Sequence, residues 1–327
     1  MLNIKNLMVN LNKKILQSDK TIIIPHKEVD FDAIASSVGV SLISKELKKE
    51  NHILVNDNKD TLDIGALKML EEVEKEYPVI DLQQYNGIKT KDTLNVLCDV
   101  SKPPLSHVKS FDKDNLAIID HHDKDCETFD ASLSHIDPSV TSASEIVANL
   151  LLEYDIKVPL NVANMLVAGI LLDTADLHNA DADKTMDFIK VLRDKWNTSV
   201  VKGRKYFIID YESDKKVHEL ISRVDVYEPM YSMILADENK KYTKEQLAAA
   251  ANYVLRYPVD SSFSIGNIGN GIISVSARSK DILDSGKVMR ELSGGGGAHS
   301  GATKLTNTTV KEVGDKIKEL VNPIYKK

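Results

Sequence analysis

The chain has 327 residues, more than one hydrophobic core usually organises, so we predict two domains. Its 42 basic and 49 acidic residues give a net charge of -7, which excludes broad electrostatic attraction as the means of holding a nucleic acid. The only cysteines, Cys98 and Cys126, form no Cys-x-x-Cys pair, so we predict reduced thiols rather than a disulfide or a zinc site. No apolar stretch approaches the ~20 residues that span a bilayer, so we predict a soluble, cytoplasmic protein without membrane contact.

Short apolar runs alternate with helix-like segments from residue 21 onwards. The runs TIII, HILV, NVLCD and LAIID predict strands, and helices are predicted from Phe31 to Leu47 and from about Leu62 to Lys75. Strands interleaved with helices favour an α/β fold with a parallel sheet covered by helices on both faces. Ligands of such sheets bind beyond the carboxyl ends of the strands.

Three more helices are predicted before the composition changes. They cover TSASEIVANLLLEY, NVANMLVAGILLDTADL and residues 183–195. The stretch that follows is polar and weakly periodic, and we place a linker at 206–228 between a domain over 1–205 and a smaller α/β domain over 229–327. For the second domain we predict a strand, the helix TKEQLAAAANYVL, strands around FSIGN and GIISVSA, a glycine-rich loop and a final helix.

Aspartate and histidine residues follow three of the predicted strands. They lie in PHKEVDFDA, LCDVS and IIDHHDKD, and comprise His26, Asp30, Asp32, Asp99, Asp120, His121 and His122. Carboxylates at the ends of buried strands lose solvation energy, so their repeated placement there indicates a chemical use. Because these positions fall at the same edge of the sheet, we expect the side chains to converge. Two divalent ions ~3.5–4 Å apart would bind there, clamp a phosphate and lower the pKa of a water between them, which predicts a phosphoesterase.

The three segments differ in how specific they are. His-x-x-x-Asp-x-Asp by itself is as typical of a solvated loop, and Asp99 alone is a weaker signal still. Asp-His-His after a buried strand is an unusual triplet, and its combination with the other two favours a metal site. Carboxylate oxygens suit Mn²⁺ and Mg²⁺, and imidazole shifts the preference towards Mn²⁺.

A second signal is SGGGGAHSGAT, residues Ser293 to Thr303. Consecutive glycines let backbone amides approach an anion, and His299 can add a charge-assisted contact. A glycine run alone is more often a flexible linker, but the flanking helix-like and strand-like segments favour a structured loop. The preceding strand ISVSARS carries Arg278, whose planar guanidinium suits phosphate oxygens. An ordinary surface arginine is the alternative.

These motifs resemble those of the DHH phosphoesterase superfamily, which includes RecJ-like nucleases, small-oligonucleotide exonucleases, cyclic-di-AMP phosphodiesterases and family II pyrophosphatases. The family's first motif usually reads His-x-x-Pro-Asp-x-Asp-Ala-x-Gly-Ser, and here Val29 replaces Pro and Ala35 replaces Gly. HIDPSVTSASE resembles the third motif, and AGILLDT resembles the fourth at Asp173 and Thr174. The glycine-rich loop resembles the Gly-Gly-Gly-Gly-His signature of the DHH-associated C-terminal domain, with Ala298 in place of the last Gly, and SARS resembles its Ser-x-Arg-Ser pattern.

The resemblance implies a role for each motif. One metal ion would bind His26, Asp30 and Asp99, and the other would bind Asp32, Asp99, His121 and Asp173, with Asp99 as the bridge. Asp120 would orient His121, while His122 would face the scissile phosphate or pack beside the metal for shape alone. The helix that opens at Thr141 to Ser144 would lend amide dipoles to the site, or those hydroxyls would simply cap it. The implied substrate-binding residues are Arg278, Ser279, Gly295, Gly296, Gly297 and His299.

The resemblance also implies a short substrate in a cleft between the two domains. The two motif sets take up nearly the whole chain and leave no room for the additional fold of RecJ nucleases that act on long strands, so no long duplex nucleic acid is expected. Residues from SVTSASEIV to ILLDT and from SARS through the glycine loop look most like the catalytic portion of cyclic-di-AMP phosphodiesterases. We expect that portion to stand here without membrane and sensory segments.

We therefore predict a phosphodiesterase with two Mn²⁺ ions, for which Mg²⁺ or another divalent ion can substitute. Its predicted substrates are pApA and other very short oligoribonucleotides, with cyclic di-AMP as a further candidate, and its products are nucleoside monophosphates. The alternatives are a phosphatase on 3'-phosphoadenosine 5'-phosphate (pAp) and a nucleotide-binding module without catalysis. Cleavage polarity, base preference and oligomeric state, a homodimer included, stay open.

Overall fold

The computed structural model describes residues 4–122, 127–174, 176–177, 182–208, 210–227 and 230–325. The chain divides into an N-terminal unit, residues 1–208, and a C-terminal unit, residues 209–327. Each unit contains a six-stranded sheet. Cys98 is a buried free thiol, and Cys126 lies outside the described residues. Within the described ranges, no helix combines the length and the apolar character needed to cross a bilayer.

The N-terminal unit is built on a parallel sheet. Its strands are β1 (Lys20–Ile24), β2 (Glu50–Leu54), β3 (Val79–Ile80), β4 (Leu94–Cys98), β5 (Leu116–Asp120) and β6 (Leu133–Ile136). They lie in the order β3-β2-β1-β4-β5-β6, and each neighbouring pair is parallel. The helices are α1 (Ile4–Gln17), α2 (Phe31–Glu46), α3 (Ile64–Val73), α4 (Leu82–Ile88), α5 (Ala143–Glu153), α6 (Leu160–Asp173), α7 (Ala182–Trp196) and α8 (Val200–Gly203). The predicted parallel α/β fold is confirmed, and the short elements β3, β6 and α4 are additions to the prediction.

Apolar side chains alternate between the two faces of this sheet and explain why both are covered. On β1, Ile23 packs in the large core that includes α1, α2, α5 and α6, whereas Ile22 and Ile24 pack in a second core with α4. Helix α2 is buried along almost its whole length, because it lies between the sheet and the pair α5 and α6. A Cβ at Gly39 of α2 would come within 2.3 Å of the Val147 side chain. This close packing fixes the start of α2 beside the carboxyl ends of the strands.

The C-terminal unit has a mixed sheet. Its strands are β7 (Val224–Tyr227), β8 (Tyr231–Leu235), β9 (Ser261–Gly269), β10 (Ile272–Ser279), β11 (Gly295–Gly296) and β12 (Ser300–Thr306), in the order β11-β12-β10-β9-β8-β7. Its helices are α9 (Tyr211–Ile221), α10 (Lys244–Val254), α11 (Ser285–Glu291) and α12 (Val310–Tyr325). Only β8 and β9 pair in parallel. The segment 206–228, which we predict as a linker, contains α9 and β7, because α9 buries Leu220 in a core with β8 and α10.

Candidate functional site

The carboxyl ends of β1, β4 and β5 bring most of the predicted metal ligands to one edge of the N-terminal sheet. These strands are parallel neighbours, so they end side by side. Four of the predicted site histidines and aspartates directly follow them: His26 after β1, Asp99 after β4, and His121 and His122 after β5. Asp120 is the last residue of β5, and the remaining ones lie at helix ends: Asp30 and Asp32 at the start of α2, and Asp173 at the end of α6.

The six predicted ligands converge into overlapping clusters. Three sets each have their potential ligand atoms within 4.8 Å of one another: His26, Asp30 and Asp99; Asp32, His121 and Asp173; and Asp99, His121 and His122. Nε2 of His26 lies 3.4 Å from one carboxylate oxygen of Asp99, and Nε2 of His121 lies 3.4 Å from the other. The carboxylate of Asp99 therefore stands between the two imidazoles, which is the geometry expected of a bridging ligand.

The electrostatics of this cluster fit a cation. The pKa of Asp32 is raised to about 7, mainly by burial and secondly by repulsion from Asp99. The pKa of Asp173 is raised well above its usual value, mainly by burial and then by repulsion from the carboxylates of Asp32 and Asp99. Burial alone would lower the pKa of His121, but Asp99 and Asp32 raise it to about 9. Excess negative charge is thus held together at one place, and the imidazole nitrogens and carboxylate oxygens around it are donors that suit Mn²⁺.

Asp99 is held in a strained position. Its φ of 59° lies in the left-handed region, which a residue other than glycine rarely adopts, and its side chain is only 2% exposed. Among the described residues no group makes a hydrogen bond to Oδ1, although His121 Nε2 lies 3.4 Å away. A buried carboxylate oxygen without a hydrogen bond is costly unless a positive charge compensates it. The strain and this oxygen both fit a ligand aimed at a metal ion.

The start of α5 binds the carboxylate of Asp32. The amides of Ala143 and Ser144 donate to its two oxygens, each at 2.7 Å, while the hydroxyl of Ser142 caps the helix by accepting from the amide of Glu145. The hydroxyl of Ser142 therefore caps the helix, and the first backbone amides of the helix bind Asp32. Capping and donation of amides to the site, which the sequence offers as alternatives, both occur.

Gly169 of α6 leaves room for this arrangement. A Cβ there would lie 2.3 Å from the Ser144 hydroxyl and 2.8 Å from Oδ1 of Asp32. Only glycine therefore fits between α6 and the ligand without a shift of its neighbours.

Asp120 contacts a different histidine ring from the one expected. Its Oδ1 accepts the backbone amide of His121 at 2.8 Å and lies 2.8 Å from Nδ1 of His122. Nε2 of His121 faces Asp99 and Asp173, and the role predicted for Asp120 in orienting the His121 ring stays a prediction. The hydrogen bond that Nδ1 of His122 donates to Asp120 raises the pKa of His122, whose side chain is 49% exposed.

One strand-end acid was not singled out from the sequence. Asp57 follows β2, the neighbour of β1 in the sheet, and its Oδ1 accepts the backbone amide of Glu28 at 2.6 Å. The signal was present in HILVNDN, where an aspartate follows an apolar run as in LCD and IID. Asp57 therefore belongs to the same edge of the sheet as the predicted ligands.

The glycine-rich loop of the C-terminal unit is structured. Gly295 and Gly296 form the edge strand β11, which pairs with β12. The carbonyl of Gly297 accepts the amide of Gly286, and the carbonyl of Gly296 accepts from the Arg290 guanidinium at 3.1 Å. Gly296 has a φ of 137°, and a Cβ there would lie 2.2 Å from the Ser300 carbonyl. The fold therefore requires glycine at this position.

The predicted substrate-binding residues fall into two groups. A cavity of about 590 Å³ is lined by Arg278, Gly295 and Gly296, and also by Lys244 and Lys304. The guanidinium of Arg278 donates to the Ser276 hydroxyl and the Ala277 carbonyl, which hold it at the cavity wall.

Ser279 does not line this cavity. Its hydroxyl is buried, donates to the Ala298 carbonyl at 3.0 Å and accepts from the Ser285 hydroxyl at 2.8 Å. The hydroxyl of Ser279 therefore holds the glycine-rich loop, and direct contact of Ser279 with a substrate stays a prediction. His299 is exposed, and neither it nor Gly297 is among the described residues that line the cavity.

Comparison with protein families identifies the N-terminal unit. Residues 20–170 match the family described as DHH family, N-terminal domain. The chain carries a DHH-family domain. The matched residues include the Asp120-His121-His122 triplet at the end of β5.

Similar proteins extend the likeness beyond that domain. The chain is 29% identical over 328 residues to the cyclic-di-AMP phosphodiesterase GdpP of Geobacillus thermodenitrificans, which covers 96% of this chain and 49% of GdpP. It is 28% identical over 218 residues to the probable bifunctional oligoribonuclease and PAP phosphatase NrnA of Streptococcus mutans, which covers 62% of this chain and 65% of NrnA. The crystal structure of an exopolyphosphatase-related protein from Bacteroides fragilis shares the fold, with a TM-score of 0.80 at 17% identity over 99% of this chain and 98% of that one. The chain thus spans about half the length of GdpP.

Proposed function

We propose that this chain is a metal-dependent phosphoesterase that hydrolyses short nucleotides. One observation carries the proposal, namely the convergence of four aspartates and two histidines from strand and helix ends that are far apart in the sequence. Buried acids that repel one another are costly to keep together, and a pair of divalent cations would remove that cost. The DHH-family domain and the names of its relatives support the same class of enzyme.

We assign one metal ion to His26, Asp30 and Asp99, and the other to Asp32, Asp99, His121 and Asp173. Mn²⁺ suits this mixture of imidazole and carboxylate, and Mg²⁺ is the main alternative. When bound, the two ions would neutralise the phosphate and provide a water of lowered pKa. The backbone bonds to Asp32 and the strained backbone of Asp99 support these assignments, since both hold a carboxylate in place before a ligand arrives.

His122 is the side chain best placed to act on the phosphate. Asp120 occupies its Nδ1, so Nε2 is the nitrogen that can donate a hydrogen bond or a proton to a phosphate oxygen. Its partial exposure leaves it accessible to a substrate. A positive imidazolium would stabilise charge that builds up on the phosphate during hydrolysis.

The C-terminal unit has a nucleotide-sized cavity of its own. Its cavity of about 590 Å³ is large enough for one nucleotide and has Arg278 and the glycine loop in its wall. Arg278 presents a planar fork to phosphate oxygens, and the loop presents backbone amides. We propose pApA, other very short oligoribonucleotides and cyclic di-AMP as substrates, with mononucleotides as products. The similarity to GdpP along 96% of this chain supports dinucleotides.

A phosphatase on pAp is the second candidate, and the similarity to NrnA favours it. The metal centre would serve a terminal phosphate as well as a bridging one. A nucleotide-binding module without catalysis is the third reading, and the complete ligand set argues against it.

Turnover of pApA, cyclic di-AMP, a longer RNA and pAp, each with Mn²⁺, tests the proposal. We expect mononucleotide release from pApA and little hydrolysis of the longer RNA. Hydrolysis of pAp alone would favour the phosphatase. Tight nucleotide binding with no hydrolysis of any of the four would refute an enzymatic role.

A further inference from the structure

The turn that carries His26 from β1 towards α2 is fixed by groups outside itself. Nδ1 of His26 lies 2.7 Å from the carbonyl oxygen of Lys27, and a carbonyl only accepts, so Nδ1 carries the proton. Nε2 then faces Asp30 and Asp99, at 3.5 Å and 3.4 Å. The position of the Lys27 carbonyl therefore decides the tautomer and the direction of the His26 ring.

The residue after Lys27 adopts a disfavoured backbone. Glu28 has a φ of 56°, in the left-handed region that residues other than glycine rarely occupy. Two bonds from neighbouring segments hold the turn in this shape. The amide of Lys27 donates to the carbonyl of Leu105 at 2.8 Å, and the amide of Glu28 donates to Oδ1 of Asp57 at 2.6 Å. The hydrogen bond to Asp57 has a charged acceptor, and such hydrogen bonds are stronger than those to a neutral carbonyl such as that of Leu105.

The second oxygen of Asp57 faces His107. Oδ2 of Asp57 lies 3.4 Å from Nε2 of His107, and the two side chains are only 6% and 13% exposed. Neither atom makes a hydrogen bond of good geometry to any other group in the described part of the chain. Each atom therefore has the other as its polar neighbour, and a buried carboxylate requires such a neighbour. His107 comes from the same loop as Leu105, so one loop supports the turn at two points.

We propose that Asp57 and His107 are a positioning pair for the metal ligand His26. Asp57 holds the amide of Glu28. This amide and the carbonyl of Lys27 belong to one planar peptide group, so Asp57 also fixes the carbonyl that orients the His26 imidazole. His107 in turn holds Asp57. Imidazoles that bind metals generally need such a partner on their second nitrogen. The inference rests on the metal centre of the proposed function and adds two residues that are not themselves proposed as ligands.

Mn²⁺ titration of the metal-stripped 327-residue chain by isothermal calorimetry tests the pair without any substrate. We expect Asp57→Ala to weaken Mn²⁺ binding by about 10- to 100-fold, the usual effect of removing a partner of a metal ligand. Asp57→Asn keeps an oxygen for the Glu28 amide and is expected to stay within about threefold of wild type. If Asp57→Ala does not fold, Asp57→Ser replaces it. The serine hydroxyl is one covalent bond closer to the backbone than Oδ1 and does not reach the Glu28 amide.

Asp63→Ala is the matched control. Asp63 also accepts backbone amides, those of Gly65 and Ala66 at the start of α3, but has no bond to the His26 turn. It is expected to lower resistance to urea in EDTA without changing Mn²⁺ affinity. This separates loss of fold stability from loss of positioning.

The outcomes separate the two proposals. Wild-type Mn²⁺ affinity in Asp57→Ala, with weakened affinity in His26→Ala, overturns the positioning role and leaves the metal centre standing. Unchanged affinity in His26→Ala overturns the metal centre and the positioning role together. A loss in Asp57→Asn as large as that in Asp57→Ala also overturns the role given to the Glu28 bond.

Discussion

Gly169 lies in the middle of α6, at the point where this helix passes Asp32 and Ser144. A Cβ at this position would lie 2.3 Å from the Ser144 hydroxyl, 2.8 Å from Oδ1 of Asp32 and 2.9 Å from its Cα. Ordinary contacts between such atoms are well over 3 Å, roughly 3.5–4 Å between carbons. Gly169→Ala therefore cannot be accommodated without moving the ligand or the start of α5.

Two opposing terms set the size of the effect. Alanine is better than glycine inside a helix by about 0.5–1 kcal/mol, which favours the variant. Overpacking a filled core costs about 1–3 kcal/mol. The second term is larger, so we expect Gly169→Ala to lower the free energy of unfolding by about 0–2.5 kcal/mol, the difference between the two ranges. Because the displaced group is a proposed ligand, Mn²⁺ affinity should fall as well.

Urea unfolding in EDTA, followed by calorimetric Mn²⁺ titration, measures both effects. Gly87→Ala is the control, because Gly87 is also helical and a Cβ there would meet nothing within 4 Å, so it should gain about 0.5–1 kcal/mol. Adding Ser144→Ala to Gly169→Ala removes the shortest contact and should restore part of the loss. If Gly169→Ala stabilises the protein as Gly87→Ala does, the close packing around Asp32 is refuted.

Asp99→Ala should abolish turnover of pApA, because it removes the carboxylate that stands between His26 and His121. Near-normal rates would contradict a two-metal centre. Arg278→Ala should raise KM while leaving kcat nearly unchanged, whereas the exposed Arg256→Ala should alter neither, and an unchanged KM in Arg278→Ala would argue against a phosphate contact. For the metal-free protein, the pKa of His121 is raised to about 9 from an unfolded value of ~6.5, so its protonated form stabilises the fold. This contribution is complete below pH ~6.5 and is lost as the pH rises through about 9. Urea unfolding in EDTA should therefore give wild type and His121→Ala free energies of unfolding that differ at low pH and converge at the upper end of this range.

The sequence was enough to predict that the proposed ligands of the N-terminal unit come together at one edge of the sheet, because their positions depend on the direction of the strands. Asp99 and His121 are each the first residues after a buried run, and parallel neighbours end at the same edge. Burial of α2 likewise follows from a nearly unbroken series of small and apolar residues after Asp32. These features are local in sequence and do not depend on which side chains later come into contact.

Hydrogen bonds between distant segments could not be predicted in the same way. Asp57 and Glu28 are joined by one hydrogen bond between two loops, and neither residue type predicts it. Asp120 lies next to both histidines in sequence, and only the backbone geometry after β5 decides that the ring of His122 is the one it contacts. Ser279 sits in a motif typical of phosphate binding, yet the alternation of β10 turns its hydroxyl towards the loop and away from the face that carries Arg278.

The two amides of α5 that bind Asp32 also restrict how its carboxylate can turn. Ca²⁺ takes roughly six to eight oxygen ligands at about 2.3–2.6 Å and readily accepts both oxygens of one carboxylate, whereas Mg²⁺ keeps to near-octahedral geometry at about 2.0–2.1 Å. A carboxylate tied through both oxygens cannot swing round to give a large ion a second contact. Selectivity for small ions over calcium would then arise from the backbone of a neighbouring helix rather than from the chemical identity of the ligands.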